Sequence, residues 1–149
     1  MPTGDTNISA GDLVQTGGTV TLGGDLTLSG ADGDITMTGG TLNLGAGAIA
    51  VSGATGDFAV SAGTVDFGSG TMSVAHNVSF TTATAPVLGT HVTTMSGAPG
   101  TLTVDTQGYG SLTVNTAGMI TVAGAGAGPD VQALTVTAGT LSVGGTSFQ

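Results

Sequence analysis

Gly33-Asp34-Ile35-Thr36-Met37-Thr38-Gly39-Gly40-Thr41-Leu42-Asn43-Leu44-Gly45 is the stretch that decides the fold. Two four-residue runs, Asp34 to Met37 and Thr41 to Leu44, each place apolar side chains at their second and fourth positions, with a Gly pair between them. Alternation with period two puts those apolar residues on one face of a strand. The phrase is also a copy. Gly11-Asp12-Leu13-Val14-Gln15-Thr16-Gly17-Gly18 precedes it by 22 residues, and Gly56-Asp57-Phe58-Ala59-Val60 follows it by 23. A unit this short cannot bury its own apolar face, so successive copies must stack on one another. The expected class is all-β, a Gly/Thr-rich β-solenoid.

Between residues 19 and 80 the strands begin at Thr19, Asp25, Asp34, Thr41, Ala48, Asp57, Thr64, Thr71 and Asn77. Taken in threes they describe a three-sided coil of 22 to 23 residues. The inward columns are then Val20/Leu42/Val65 and Leu22/Leu44/Phe67 on the first side. The second side gives Leu26/Ile49/Met72 and Leu28/Val51/Val74, and the third gives Ile35/Phe58/Val78 and Met37/Val60/Phe80. Every member is apolar, while the outward positions are Thr, Asp, Asn, Ser and Ala. Helix is disfavoured, because Glu, Lys and Arg are absent and Gly recurs throughout.

The rhythm lapses between about Thr81 and Gly100 and resumes at Thr101-Leu102-Thr103-Val104. Ser111-Leu112-Thr113-Val114 then returns at Ala133-Leu134-Thr135-Val136, and Met119-Ile120-Thr121-Val122 at Thr140-Leu141-Ser142-Val143. The expected organisation is an attachment or cap segment at 1–10, solenoid repeats at 11–80, an irregular insertion at 81–100 and a second repeat region at 101–149. A solenoid has two open ends that invite edge pairing, and its thin coils give a narrow core. A homotrimer, either intertwined or packed side by side, would relieve both, so a homo-oligomer is the expected state.

Composition excludes several function classes. Among 149 residues there is no Lys or Arg, and the formal charge is −9, all of it from Asp. Affinity for a phosphate backbone or an anionic membrane surface comes mainly from Lys and Arg, so neither nucleic acid nor membrane is an expected partner. There is no Cys, hence no disulfide framework. The start, Met1-Pro2-Thr3-Gly4-Asp5-Thr6, lacks the basic and apolar regions of a secretion signal, and no apolar run approaches the ~20 residues that span a bilayer.

Asp32-Gly33-Asp34 could offer two carboxylates to a hard cation, which makes Asp32 and Asp34 the candidate calcium ligands and Ca2+ the one cofactor to consider. The position one coil on from Asp32 is Thr55, so no ladder of ligands develops. His76 and His91, the two histidines, have no evident partners for metal or proton chemistry. No Gly-x-Ser-x-Gly elbow is present, and no catalytic residue is assigned. The Thr-x-Thr strands, such as Thr19/Thr21 and Thr101/Thr103, are partly similar to those of ice-binding β-solenoids. The second outward position on that side nevertheless runs Thr21, Asn43, Asp66.

The Gly-Gly-Thr-Leu-x-Leu-Gly rhythm of Gly39 to Gly45 resembles the parallel β-helix segments of bacteriophage fibres and tailspikes, and those of autotransporter passengers and filamentous adhesins. The resemblance implies a non-enzymatic virion structural protein: a fibre, spike or capsid-decoration subunit at the virion surface, partnered by itself and by other virion proteins. The alternative it implies is a subunit of a self-assembling bacterial or archaeal extracellular filament or surface layer, located at the cell surface.

Overall fold

The computed structural model describes residues 4–81, 92–97, 99–104, 109–123 and 131–143. These form thirteen strands and no helix, so no helix is long and apolar enough to cross a membrane. The early strands are β1 (Thr6–Ile8), β2 (Leu13–Gln15), β3 (Thr19–Thr21) and β4 (Leu26–Leu28). Next come β5 (Ile35–Asn43), β6 (Ala48–Val51), β7 (Phe58–Asp66), β8 (Thr71–Val74) and β9 (Val78–Phe80). The chain continues through β10 (Val92–Met95), β11 (Gly100–Val104), β12 (Tyr109–Ala123) and β13 (Val131–Val143).

All pairings are parallel and join each coil to the next, which makes the molecule a β-solenoid. The first ladder runs β1-β4-β6-β8-β10-β12-β13. The second runs β2-β5-β7-β9-β11-β12-β13. A third, β3-β5-β7, uses the C-terminal halves of β5 and β7. Strands β5 and β7 turn the corner without breaking; a register shift at Thr38 lets one strand serve two sides. That corner demands glycine. Gly40 and Gly63 have φ of +84° and +101°, and a Cβ on Gly63 would stand 2.6 Å from the Gly40 carbonyl oxygen one coil below.

The inward columns read from the sequence are the observed ones. Ile35 pairs Phe58, which pairs Val78; Leu26 pairs Ile49, which pairs Met72; Val20 pairs Leu42, which pairs Val65. All members of the six columns are buried except Val20 and Leu22, which lie in the first coil and have a neighbour on one side only. Phe58, Phe67 and Phe80 meet across the interior, with ring centroids 5.8 to 6.4 Å apart. Such tilted contacts suit the ring quadrupole. The coils close within one chain, so burial of this core does not require three interleaved chains.

The structure extends the solenoid beyond the sequence reading. Strand β1 lies within 1–10 and is the first rung beneath β4. Strand β10 lies within 81–100, yet it stacks between β8 and β12. It escapes the apolar pattern because Val92 takes an outward position while Thr93, fully buried, fills the inward column between Met72 and Leu112. In the second region the observed register is the expected one: Ser111 to Val114 against Ala133 to Val136, and Met119 to Val122 against Thr140 to Val143. Shifts on either side of Asn115 absorb the single-residue deletion. The third side is the limit of the three-sided expectation: among the described residues it occurs only in β3, β5 and β7.

Candidate functional site

The polar chemistry of the described residues gathers at the corner that leads from the first ladder into the second. The residue just before each of the first four second-ladder strands is Asp12, Asp34, Asp57 and Asn77, and the column continues to Thr101, the second residue of β11. After Asp12, the backbone N–H of each donates to the side-chain oxygen of its counterpart one coil earlier. Asp34 N–H donates to Asp12 Oδ1 (3.1 Å), Asp57 N–H to Asp34 Oδ1 (2.8 Å), Asn77 N–H to Asp57 Oδ1 (2.9 Å) and Thr101 N–H to Asn77 Oδ1 (2.9 Å). A shorter series on the first ladder repeats this, from Asp25 N–H to Asp5 Oδ1 and from Ala48 N–H to Asp25 Oδ1. Strand entry is where a backbone N–H loses its regular ladder partner. A short carboxylate at that point satisfies it with a charge-assisted bond.

One rung is more elaborate. Asp57 Oδ1 also lies 2.7 Å from His76 Nδ1, and Asn77 Nδ2 donates to Asp57 Oδ2 at 3.2 Å. With its proton on Nδ1, the imidazole donates to the carboxylate, and Asp57 then serves three donors. Asn77 Nδ2 stands only 2.8 Å from the same ring nitrogen, so ring and amide compete for one geometry. His76 and Asp57 are each about one-third exposed, which places the cluster at the surface rather than in a cleft. Asn77, the start of an Asn-x-Ser sequence, is thereby engaged at both ends of its amide.

The corner spans residues 9–12 in the first coil but 29–34 and 52–57 in the next two. The extra residues leave a ledge, an open concavity of about 400 Å³ lined by Ser9, Gly11, Asp12, Gly30, Asp32 and Gly33 among others. Asp32 sits on it, but its Oδ1 accepts the Thr55 hydroxyl one coil on. Asp34, the other calcium candidate, gives its Oδ1 to Asp57 N–H. Both carboxylates thus take part in coil-to-coil hydrogen bonding. Among the described residues no three His, Cys, Asp or Glu side chains form a group that could hold a metal ion. His91 lies outside the described residues.

No protein-family model, curated protein or solved structure matches this chain.

The carboxylate ladder was visible in the sequence as Gly-Asp recurring at positions 11–12, 33–34 and 56–57. Its continuation through Asn77 and Thr101 was not, because the corner shortens and Asp gives way to other hydrogen-bonding residues. The two outward columns beside it are made of small side chains. On the first ladder the column is Thr27, Ala50, Ser73, Thr94, Thr113; on the second it is Thr36, Ala59, Ser79, Thr103. What this arrangement supplies is a closely hydrogen-bonded stack of coils with small side chains along these two columns.

Proposed function

We propose that this chain is a non-enzymatic structural subunit of a bacteriophage particle: a fibre, spike or capsid-decoration subunit on the virion surface that associates with copies of itself and with other virion proteins. The observation that carries the reading is the construction of the solenoid. Parallel ladders run the length of the described chain, polar side chains join one coil to the next, and the outward columns from Thr27 to Thr113 and from Thr36 to Thr103 hold only small residues. Such a body transmits load and spaces other parts. The absence of Lys and Arg supports exposure, since it leaves trypsin-like proteases no cleavage point.

The second reading, a subunit of an extracellular filament or surface layer, is favoured by one feature: β13 leaves an edge unpaired among the described residues. Immunogold labelling with antibody to this chain tests both, using virions and surface filaments from the source culture. Gold on virions is the expected result. Gold on filaments would move the assignment to the second reading, and gold on neither would overturn both.

A further inference from the structure

The two ends of the solenoid are finished differently. At the N-terminal end the exposed edges belong to β1, β2 and β3, each of three residues. Asp5 and Asp12 stand at the entries of β1 and β2, and both are exposed. The inward column there begins with a polar side chain: Gln15, 7% exposed, donates through Nε2 to the carbonyls of Thr41 (2.9 Å) and Gly18 (3.3 Å). Short strands, charge and a polar lid are what blunt a sheet edge.

Among the described residues the other end has none of these. Strand β13 runs unbroken for thirteen residues and contains no charged side chain. Its Leu134 and Val136 continue inward columns whose previous members, Leu112 and Val114, are fully buried, yet they are 42% and 46% exposed. Every residue from Ala133 to Thr140 is exposed.

Charge follows the same axis. The second-ladder corner column reads Asp12, Asp34, Asp57, Asn77, Thr101, Thr121, Ser142. Its first-ladder counterpart reads Asp5, Asp25, Ala48, Thr71, Val92, Ser111, Ala133. Among the described residues every Asp precedes β8, and β10 to β13 hold none; Asp105 and Asp130 lie outside the described residues.

We propose that a second copy of this chain covers the β13 edge, with β13 pairing antiparallel to the partner's β13 about a two-fold axis. An edge strand is a template for another strand, and a two-fold contact uses the same patch on both copies. Two bodies of charge −9 repel least when their acidic ends point apart, which tail-to-tail pairing achieves. Stacking β13 under another copy's β1 to β3 would instead set a long uncharged edge against three short, acidic ones. The proposal rests on the reading of the chain as a self-associating structural subunit.

Sedimentation equilibrium over a concentration series tests it on the whole chain, with far-UV circular dichroism to check folding. The expected result is a limit at two copies. The Leu134→Asp, Val136→Asp double variant should weaken that association at least tenfold, and Val14→Asp, in the first coil, should leave it unchanged. Because the native chain has no Cys, single-cysteine variants give a check independent of those substitutions. Thr135→Cys should yield a two-copy product with a short bis-maleimide, and Asn7→Cys should not. Single copies at every concentration, growth beyond two copies that Val14→Asp blocks, or cross-linking through Asn7→Cys would each overturn the pairing. Single copies alongside gold-labelled virions would remove the pairing alone and leave the proposed function standing.

Discussion

Phe58→Ala should be among the most damaging single substitutions in this chain, and its cost can be worked from position. Phe58 is fully buried on the second ladder, between Ile35 and Val78. Its ring lies 5.8 Å from Phe80 and 6.4 Å from Phe67. Truncating a buried Phe costs about 3–5 kcal/mol in lost transfer energy and residual cavity. The coils above and below are held by their own ladders, so the space cannot collapse and the upper part of that range applies. Val20→Ala provides the control. Val20 occupies an equivalent inward position but is 37% exposed in the first coil, and about 0.5 kcal/mol is expected. Urea unfolding followed by far-UV circular dichroism measures both, since the chain has no Trp. A double-mutant cycle of Phe58→Ala with Phe80→Ala should return a coupling of about 0.5–1.5 kcal/mol from the ring contact. If Phe58→Ala cost under about 1 kcal/mol, or Val20→Ala cost as much as Phe58→Ala, the assignment of inward columns and of the first coil as an end would be wrong.

Three further outcomes follow from the ladders and corners. Asp34→Ala should destabilise by about 1–2 kcal/mol, because Asp57 N–H loses its acceptor, whereas Asp34→Asn keeps an acceptor and should be nearly neutral in thermal melts. Equal losses in the two variants would show that charge, not hydrogen bonding, is the useful property. Asp57→Ala should cost more than His76→Ala, since Asp57 serves His76 Nδ1 and both nitrogens of Asn77; the reverse order in urea midpoints would refute that accounting. Gly63→Ala, with φ of +101° and the Gly40 carbonyl at 2.6 Å from the added carbon, should cost about 2 kcal/mol or more. Gly45→Ala, with φ of +63° and open space around it, should cost only the conformational term of about 1 kcal/mol. Matching losses at the two glycines would mean that stacking distance does not constrain this corner.

The sequence by itself determined the class of fold, the coil period and the core from Leu22 to Phe80. It could do so because strand alternation and coil stacking are both strictly periodic: an inward position recurs every second residue and again every 22 or 23. It also marked Gly-Asp as a recurring corner. Only the tertiary structure decided what happens where the period breaks. The first two residues of strand β10, Val92 and Thr93, have apolar and polar positions exchanged, and only the pairing with β8 and β12 shows that Thr93 belongs inside. Strand β1 was hidden because Thr6 stands at the position where the next coils carry Leu26 and Ile49, so the apolar column does not show there. Asp32 and Asp34 read as a carboxylate pair because their neighbours one coil on, Thr55 and Asp57, are 23 residues distant in the chain. Stacking brings those neighbours within hydrogen-bond reach, and each carboxylate joins its own coil to the next. The contrast between a lidded, acidic first coil and a long uncharged β13 edge also belongs to the tertiary structure. Exposure is a property of where a rung lies in the stack: in identical Leu-Thr-Val triplets, Leu112 and Val114 are buried in one coil while Leu134 and Val136 are exposed in the next.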